Sequence, residues 1–410
     1  MNLVAQYTPS ISGEVLCPGD KSISQRAVII GSLLNEDIEI SGFLNGEDPI
    51  STANALNAIG SSIKINGTSV SIKKRDIPFK DPSVNVDLGN SGTGMRLMMG
   101  LISSLGIKAT LVGDESLTKR PMLRVANPLN DMGATVTCNE GKPPIKILDG
   151  LIKDNFSYEM PIASAQVKSS IIIAALAANK KVTVIEKQPT RNHTERMLSY
   201  FNGDIHTELH DLGNKITLMP SKLIPTKKYE VAGDFSSASF LIVAGLIAKE
   251  SNLLIKNVGL NPTRCGLISV LRSMGAKIEI KNERLISNEE VGDIHVVSSE
   301  LHGIGISGDI IPNIIDEIPI LSIAASFAKG ETLITEAEEL RVKESDRLQA
   351  ISDGLQKINI HHELFHDGIK IIGSSEDISV MAEIDSHGDH RIAMSFLIAS
   401  LRSKKGIYVE

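Results

Sequence analysis

The sequence has no tryptophan, and phenylalanine and tyrosine bring its aromatic content to only 3% of 410 residues. Surfaces that hold single-stranded nucleic acid stack bases on aromatic rings set among basic residues. Such stretches are missing, and the net charge is -7, so nucleic acid is excluded as the main partner. Cysteine is also scarce. Cys17, Cys138 and Cys265 are odd in number and far apart, which fits neither a disulfide framework nor a zinc site. No cluster of His, Cys and carboxylates has metal-ligand spacing, so no metal is expected. The longest strongly apolar run, 171–178, is far too short to span a bilayer. Residues 1–25 lack the apolar segment of a secretory signal. Reduced cysteines and no leader point to the cytoplasm. A glycine-rich nucleotide fingerprint is absent too, which argues against a doubly wound sheet.

What the chain does have is a repeat. Six segments share a polar start, often with Gly or Ser, followed by small and aliphatic residues. They begin with PGDKSISQR (18–26), LGNSGTGMR (88–96), ASAQVKSS (163–170), GDFSSASF (233–240), IDEIPILS (315–322) and HGDHRIAM (387–394). Their starts fall about 70 to 80 residues apart, a spacing that marks a repeat architecture. Each reads as a helix apolar on nearly every face, and such helices lie inside a domain. Small residues (Gly31, Gly100, Ala174, Gly245, Ala325, Ser400) let neighbours come close. A second, amphipathic helix is expected to begin near Gly46, Pro121, Thr190, Asn261 and Arg341. Three of these run into the same ending, LNAIGSSIKI (56–65), LNDMGATVTC (129–138) and LRSMGAKIEI (271–280). This reads as a helix terminus, a glycine just past it, and a short alternating strand. Further short strands are expected at 37–43 and 182–187. The class is therefore α/β or α+β, built from six strand-helix-strand-helix-strand-strand units. On the same arithmetic the sixth second helix starts at about residue 414, so roughly 20 to 30 residues of a full repeat are expected beyond Glu410, though a terminal unit can be atypical.

Buried helices with polar starts offer free N–H groups and a positive dipole end, which is an anion-binding device. Cations recur at these starts: Lys21 and Arg26, Arg96, then Lys119, Arg120 and Arg124, Lys168, Arg191 and Arg196, Arg264, the trio Arg341, Lys343 and Arg347, and Arg391. In an acidic chain this pattern points to a focused site for a small polyanion. Arginine suits the bidentate grip of carboxylate and phosphate. Two carboxylates stand among the cations. Asp316 opens the fifth buried helix, where a simple helix cap is the alternative. Glu344 sits between Lys343 and Arg347, where an exposed ion-paired glutamate is the alternative. An acid and a base within an anion site suit addition–elimination chemistry. His193 and His390 read mainly as hydrogen-bonding structural residues.

The motifs PGDKSISQR, GNSGTGMR (89–96), SLTKRPM (116–122), RVKESDR (341–347) and GDHRIAM (388–394) together resemble the enolpyruvyl transferase family over nearly the whole chain. The similarity is strongest to the branch whose acceptor is shikimate 3-phosphate. It implies an inverse α/β barrel fold of two domains, each of three βαβαββ repeats around buried parallel helices. Residues 1–19 with 233–410 would form domain I and 20–232 domain II, with the active site in the cleft between them. It further implies transfer of the enolpyruvyl group of phosphoenolpyruvate to the 5-hydroxyl of shikimate 3-phosphate in the shikimate pathway to aromatic amino acids. No cofactor is implied, a monomer is expected, and glyphosate would be an inhibitor.

By the same resemblance Lys21, Ser22, Arg26, Ser164, Ala165, Gln166, Arg191, Asp316 and Lys343 bind shikimate 3-phosphate. Lys21, Gly92, Arg120, Gln166, Arg347 and Arg391 bind phosphoenolpyruvate. Asp316 is the base for the hydroxyl, Glu344 the proton donor to C3, and Lys21 assists. The family carries a last helix and a lysine touching phosphoenolpyruvate past the equivalent of Glu410. The loops ASAQVK, KRP and RNHTE, with Leu97, resemble glyphosate-tolerant members, whereas Gly92 matches sensitive ones. Moderate tolerance is expected, rising in Gly92→Ala. Two alternatives stay open. One is the sister activity on UDP-N-acetylglucosamine, although the loop 113–121 lacks that branch's cysteine and Lys21 is followed by Ser22 rather than Asn. The other is a non-catalytic anion-binding relative.

Overall fold

A computed structural model describes residues 3–148 and 150–410. Twelve α-helices lie among them: α1 Lys21–Gly31, α2 Glu47–Ala58, α3 Gly92–Ser103, α4 Leu123–Asp131, α5 Ala165–Ala178, α6 His193–Tyr200, α7 Phe235–Ile247, α8 Gly266–Ser273, α9 Ile311–Ile314, α10 Ile318–Ser326, α11 Arg347–Lys357 and α12 His390–Ser400. The six apolar segments are all helices, namely α1, α3, α5, α7, α10 and α12. The five amphipathic segments are α2, α4, α6, α8 and α11, the last two starting several residues later than expected. The four-residue α9 has no counterpart in the repeat. None of the described helices is long and apolar enough to cross a membrane.

The chain forms two compact units. Unit 1 comprises Met1–Cys17, Gly233–Arg284 and Glu290–Glu410; unit 2 comprises Pro18–Ala232 and Leu285–Glu289. Each holds three of the six repeats. Five of the six sheets have four strands and one layout. In each, the strand that follows the buried helix has a parallel partner on one side and one arm of an antiparallel hairpin on the other; in the sheets around α3, α5 and α10 the parallel partner is the strand preceding the helix, whereas after α1 and α7 it comes from a distant part of the chain. In the third repeat, for example, Phe156–Met160 runs parallel to Val182–Glu186, which pairs antiparallel with Gly213–Leu218, itself paired with Ile205–His210. The buried helix is the crossover that a parallel pair requires. In the sixth sheet Ala382–Ile384 runs parallel to Ile407–Val409, and Leu3–Val4 joins antiparallel. In unit 1 the strand Ser10–Leu16 runs parallel to Glu250–Gly259. In unit 2 Lys228–Glu230 runs parallel to Ile38–Ser41.

Helix burial follows from composition. In α3 the side chains of Met95, Leu97, Met98, Leu101 and Ile102 are fully buried, each worth about 1.5–3 kcal/mol relative to exposure. Close helix contacts need glycine. A Cβ at Gly100 of α3 would sit 2.2 Å from the Ser170 carbonyl oxygen of α5, so these two helices meet backbone to backbone. The three shared endings are turns through Gly60, Gly133 and Gly275, at φ of +110°, +108° and +99°, where a side chain would be strained. Across two of these turns an asparagine holds both backbone groups of the residue six positions on, Asn57 with Ile63 and Asn130 with Val136. In the third, Arg272 donates to the Ile278 carbonyl. These links fix where each hairpin leaves its helix and so keep the sheets in register with the buried helices.

Candidate active site

Each unit gathers the starts of its three buried helices, and the candidate residues cluster there. In unit 2, Asp20, Ser91 and Ser164 cap α1, α3 and α5, their side chains accepting from the backbone N–H of Ile23, Gly94 and Val167. Such caps satisfy one orphan donor and leave others available. Gln25 of α1 donates to Ser91 and, at 3.1 Å, to Thr52 Oγ1. Gln166 of α5 donates to Thr93 Oγ1 at 2.8 Å and accepts from Arg96 Nη1 at 2.5 Å. The three helix starts are thus cross-linked by amides.

Around them stand the cations. Lys21 Nζ lies 2.9 Å from Asp48 in the first turn of α2. Arg120 is buried and donates to Asn90 Oδ1 and, at 3.3 Å, to Ser116 Oγ. A Cβ at Gly92 would lie 2.9 Å from Arg120 Nη1 and 3.5 Å from Arg96 Nη1, so this glycine makes room for two guanidinium groups. Arg26 is 2% exposed. It donates from Nε to Thr194 Oγ1 at 2.8 Å, from Nη2 to Ser169 Oγ at 3.0 Å and from Nη1 to the Ser22 carbonyl at 3.0 Å. These partners are neutral, and burial dominates: the guanidinium is pushed down to about 10, with Glu195 and Asp20 opposing and Arg191 adding to the fall. The mutual effect puts Arg26 and half-buried Arg191 in one neighbourhood. Ser22 and Ala165 lie half-buried in the first turns of α1 and α5.

Unit 1 is built differently. Arg347, the first residue of α11, is 1% exposed and faces three carboxylates. Its Nε donates to Asp389 Oδ2 at 2.8 Å, Nη1 to Asp316 Oδ1 at 3.2 Å and Nη2 to Glu344 Oε2 at 2.5 Å. Burial works against this charge, but Glu344, Asp389 and Asp316 overcome it and hold the guanidinium above its usual range. Asp389 also caps α12, accepting from Arg391 N at 2.9 Å. Arg391 is buried and donates to Ser236 Oγ of α7 and, at 3.0 Å, to the Asp316 carbonyl. Glu317, wholly buried, accepts from Ser236 Oγ at 2.6 Å and from Arg264 Nη1 at 2.6 Å. Ser236, Glu317 and Arg391 therefore tie the starts of α7, α10 and α12 together. Lys343 sits 3.7 Å from Glu339 and keeps 23% of its side chain exposed. Desolvation, ahead of the opposing pull of Asp316 and Glu339, lowers its ammonium below the usual lysine range; at that exposure the effect is modest.

Several readings change. The fifth buried helix begins at Ile318, two residues after Asp316, and no side chain caps it. Asp316 is thus set in the preceding turn, where it meets Arg347. Glu344 is three-quarters covered, not an exposed surface glutamate. Among the cations offered as anion ligands, Lys168, Arg264 and Arg341 serve protein contacts outside the proposed substrate-binding set. Lys168 is enclosed by Glu186 and Glu195 at 2.9 and 2.7 Å, Arg264 is held by Glu317, and Arg341 donates to the carbonyls of His366 and Phe365. His193 is buried with Nδ1 2.8 Å from Glu289 Oε1, whereas His390 is exposed. Glu317 and Asp389 were missed as site residues, although Asp389 carried a capping signal immediately before a helix. Among the described residues no group of His, Cys, Asp and Glu could hold a metal ion.

A family model described as EPSP synthase (3-phosphoshikimate 1-carboxyvinyltransferase) matches residues 6–410. The chain belongs to the EPSP synthase family. Curated relatives in this family include the 3-phosphoshikimate 1-carboxyvinyltransferases of Petrotoga mobilis, 47% identical over all of this chain and 95% of that protein, and of Ruthia magnifica, 45% identical over 99% and 93%. Among solved structures, EPSP synthase from Acinetobacter baumannii superposes with a TM-score of 0.86 at 41% identity, covering 99% of this chain and 93% of the other. The family's two-domain inverse α/β architecture is the fold described above.

Proposed function

We propose that this protein transfers the enolpyruvyl group of phosphoenolpyruvate to the 5-hydroxyl of shikimate 3-phosphate and releases phosphate. Family membership over nearly the full length supports the activity. The observation that carries the chemistry is the pair of carboxylates, Asp316 and Glu344, held on one buried guanidinium, Arg347. One carboxylate can take a proton while the other gives one, and the cation stabilises whichever is charged.

In this reading Lys21, Ser22, Arg26, Ser164, Ala165, Gln166, Arg191 and Lys343 grip shikimate 3-phosphate. Lys21, Gly92, Arg120, Gln166, Arg347 and Arg391 hold phosphoenolpyruvate. The 5-hydroxyl oxygen attacks C2 while its proton passes to Asp316 and Glu344 protonates C3. The resulting tetrahedral adduct carries a methyl group and the phosphate. Breaking the C2–O bond to phosphate, with return of a methyl proton to Glu344, restores the double bond. Lys21 assists charge movement, and the arginines supply orientation and charge stabilisation. The enol phosphate is itself the activated group, so the reaction needs no cofactor. A cytoplasmic monomer inhibited by glyphosate completes the proposal.

Phosphate release from phosphoenolpyruvate tests this reading. Release is expected only when shikimate 3-phosphate is present. Release driven instead by UDP-N-acetylglucosamine, or none with either acceptor, would overturn it.

A further inference from the structure

Lys168 is fully buried, yet it points at no solvent and no expected ligand. Its Nζ lies 2.9 Å from Glu186 Oε2 and 2.7 Å from Glu195 Oε1, and it donates to the Thr190 carbonyl at 3.4 Å. Glu186 ends the strand Val182–Glu186 and also accepts from Thr190 N at 3.2 Å and Thr190 Oγ1 at 2.7 Å. Glu195 lies in the first turn of α6. One ammonium therefore joins α5, the end of a strand, the connecting segment and the following helix. Arg191 is the residue after Thr190, so both sides of it are tied back to Lys168.

The neighbours of the ammonium lead to the second cation. Ser169, next to Lys168, accepts from Arg26 Nη2 and from Thr194 Oγ1, and Thr194, next to Glu195, accepts from Arg26 Nε. The formal charges of Lys168, Arg26, Glu186 and Glu195 sum to zero. Glu195 is the strongest charge favouring ionised Arg26. Without Lys168 the set would carry one excess negative charge beside Arg26, and the segment bearing Arg191 would lose its anchor. Both changes oppose a bound dianion.

We propose that Lys168 is a positioning residue for recognition of the acceptor's phosphate: it holds Arg191 and Arg26 in place and so sets the preference for a phosphorylated over an unphosphorylated acceptor. This rests on the reading that shikimate 3-phosphate is the acceptor.

The test compares shikimate 3-phosphate with shikimate as acceptors for the wild-type enzyme and for Lys168→Met. The ratio of kcat/KM between the two acceptors is expected to shrink about tenfold or more in the variant, the scale of misplacing a charge-assisted hydrogen bond. KM for shikimate 3-phosphate should rise by a similar factor while KM for phosphoenolpyruvate stays within about threefold. A merely structural lysine would lower activity on both acceptors alike and leave the ratio unchanged, and that result overturns the proposal. Should Lys168→Met fail to fold, Thr190→Ala, which removes one hydroxyl bond to Glu186, decides by the same ratio: a fall supports the proposal and an unchanged ratio refutes it. Wild-type enzyme inactive with shikimate 3-phosphate would instead overturn the functional reading itself.

Discussion

Two buried arginines, Arg26 in unit 2 and Arg347 in unit 1, are equally hidden from solvent and oppositely treated. Arg26 meets hydroxyls and a carbonyl, and burial weakens its hold on its proton. Arg347 meets three carboxylates, and they strengthen it. The first arrangement gives the guanidinium only neutral hydrogen-bond partners, which suits a site awaiting a dianion. The second surrounds a cation with surplus negative charge, which suits groups that must exchange protons. Burial by itself therefore says little about a charged residue; the charge state of its partners decides whether its charge is open to a ligand alone or, as at Arg347, is shared with carboxylates that can exchange protons.

Replacing these arginines should separate the two cases. The largest effect is expected for Arg347→Met. It leaves three carboxylates around a neutral side chain, so stability should fall by about 3–5 kcal/mol in denaturant unfolding. Turnover should fall by about a thousandfold. Equal stability of wild type and variant would break the comparison. Arg26→Met should lower kcat/KM for shikimate 3-phosphate by about a hundredfold, yet leave unfolding stability unchanged or raised by about 1–3 kcal/mol. The sign follows from the lowered proton affinity. A guanidinium that titrates at about 10 in the folded chain and higher when unfolded disfavours folding throughout neutral pH. That cost fades as pH climbs through about 10, so the advantage of the variant should be full at pH 7 and smaller above pH 10.

Gly92→Ala probes the crowding next to Arg120. The new methyl must displace the Arg120 guanidinium, so KM for phosphoenolpyruvate should rise by about twofold to fivefold. The inhibition constant for glyphosate, a longer molecule, should rise more; an unchanged constant would remove the steric argument. The smallest effect concerns a carboxylate bonded to none of the proposed catalytic residues. In unit 1 Asp377 bonds Lys249, Arg402 and Tyr7, and although burial opposes it these bonds lower its carboxyl to about 2. Asp377→Asn should lose about 1–2 kcal/mol of stability at neutral pH and leave turnover intact. Its stability gap to wild type should close as pH falls from about 4 to about 2, because protonation then removes the same charge from the wild type.

Much of the fold was legible because repetition multiplies a weak signal. The glycine after LNAI, LNDM and LRSM takes the same left-handed turn three times, and the apolar helices follow from composition alone. Element starts were less legible where loops intervene, as before Gly266 and Arg347. The site residues divide along the same line. Arg347 and Glu344 lie three residues apart, close enough to pair across the bend before α11, but their meeting with Asp316 and Asp389 is long-range. Lys168 misled for the same reason: Glu186 and Glu195 are remote in sequence, so nothing local distinguished a ligand-facing lysine from one sealed between two carboxylates. The partners that set an arginine's character lie tens of residues or more away, Asp316 and Asp389 for Arg347, Ser169 and Thr194 for Arg26, and a linear reading sees the cation without them.

Proton exchange between Glu344 and C3 of phosphoenolpyruvate in the Arg347 cluster can be followed by running the reaction in deuterium oxide and examining the product by NMR. Protonation of C3 to a methyl group and loss of a proton on elimination should place deuterium in the product's methylene group, and Glu344→Gln should suppress both turnover and labelling. A wild-type product formed at full rate with no deuterium at that carbon would contradict it.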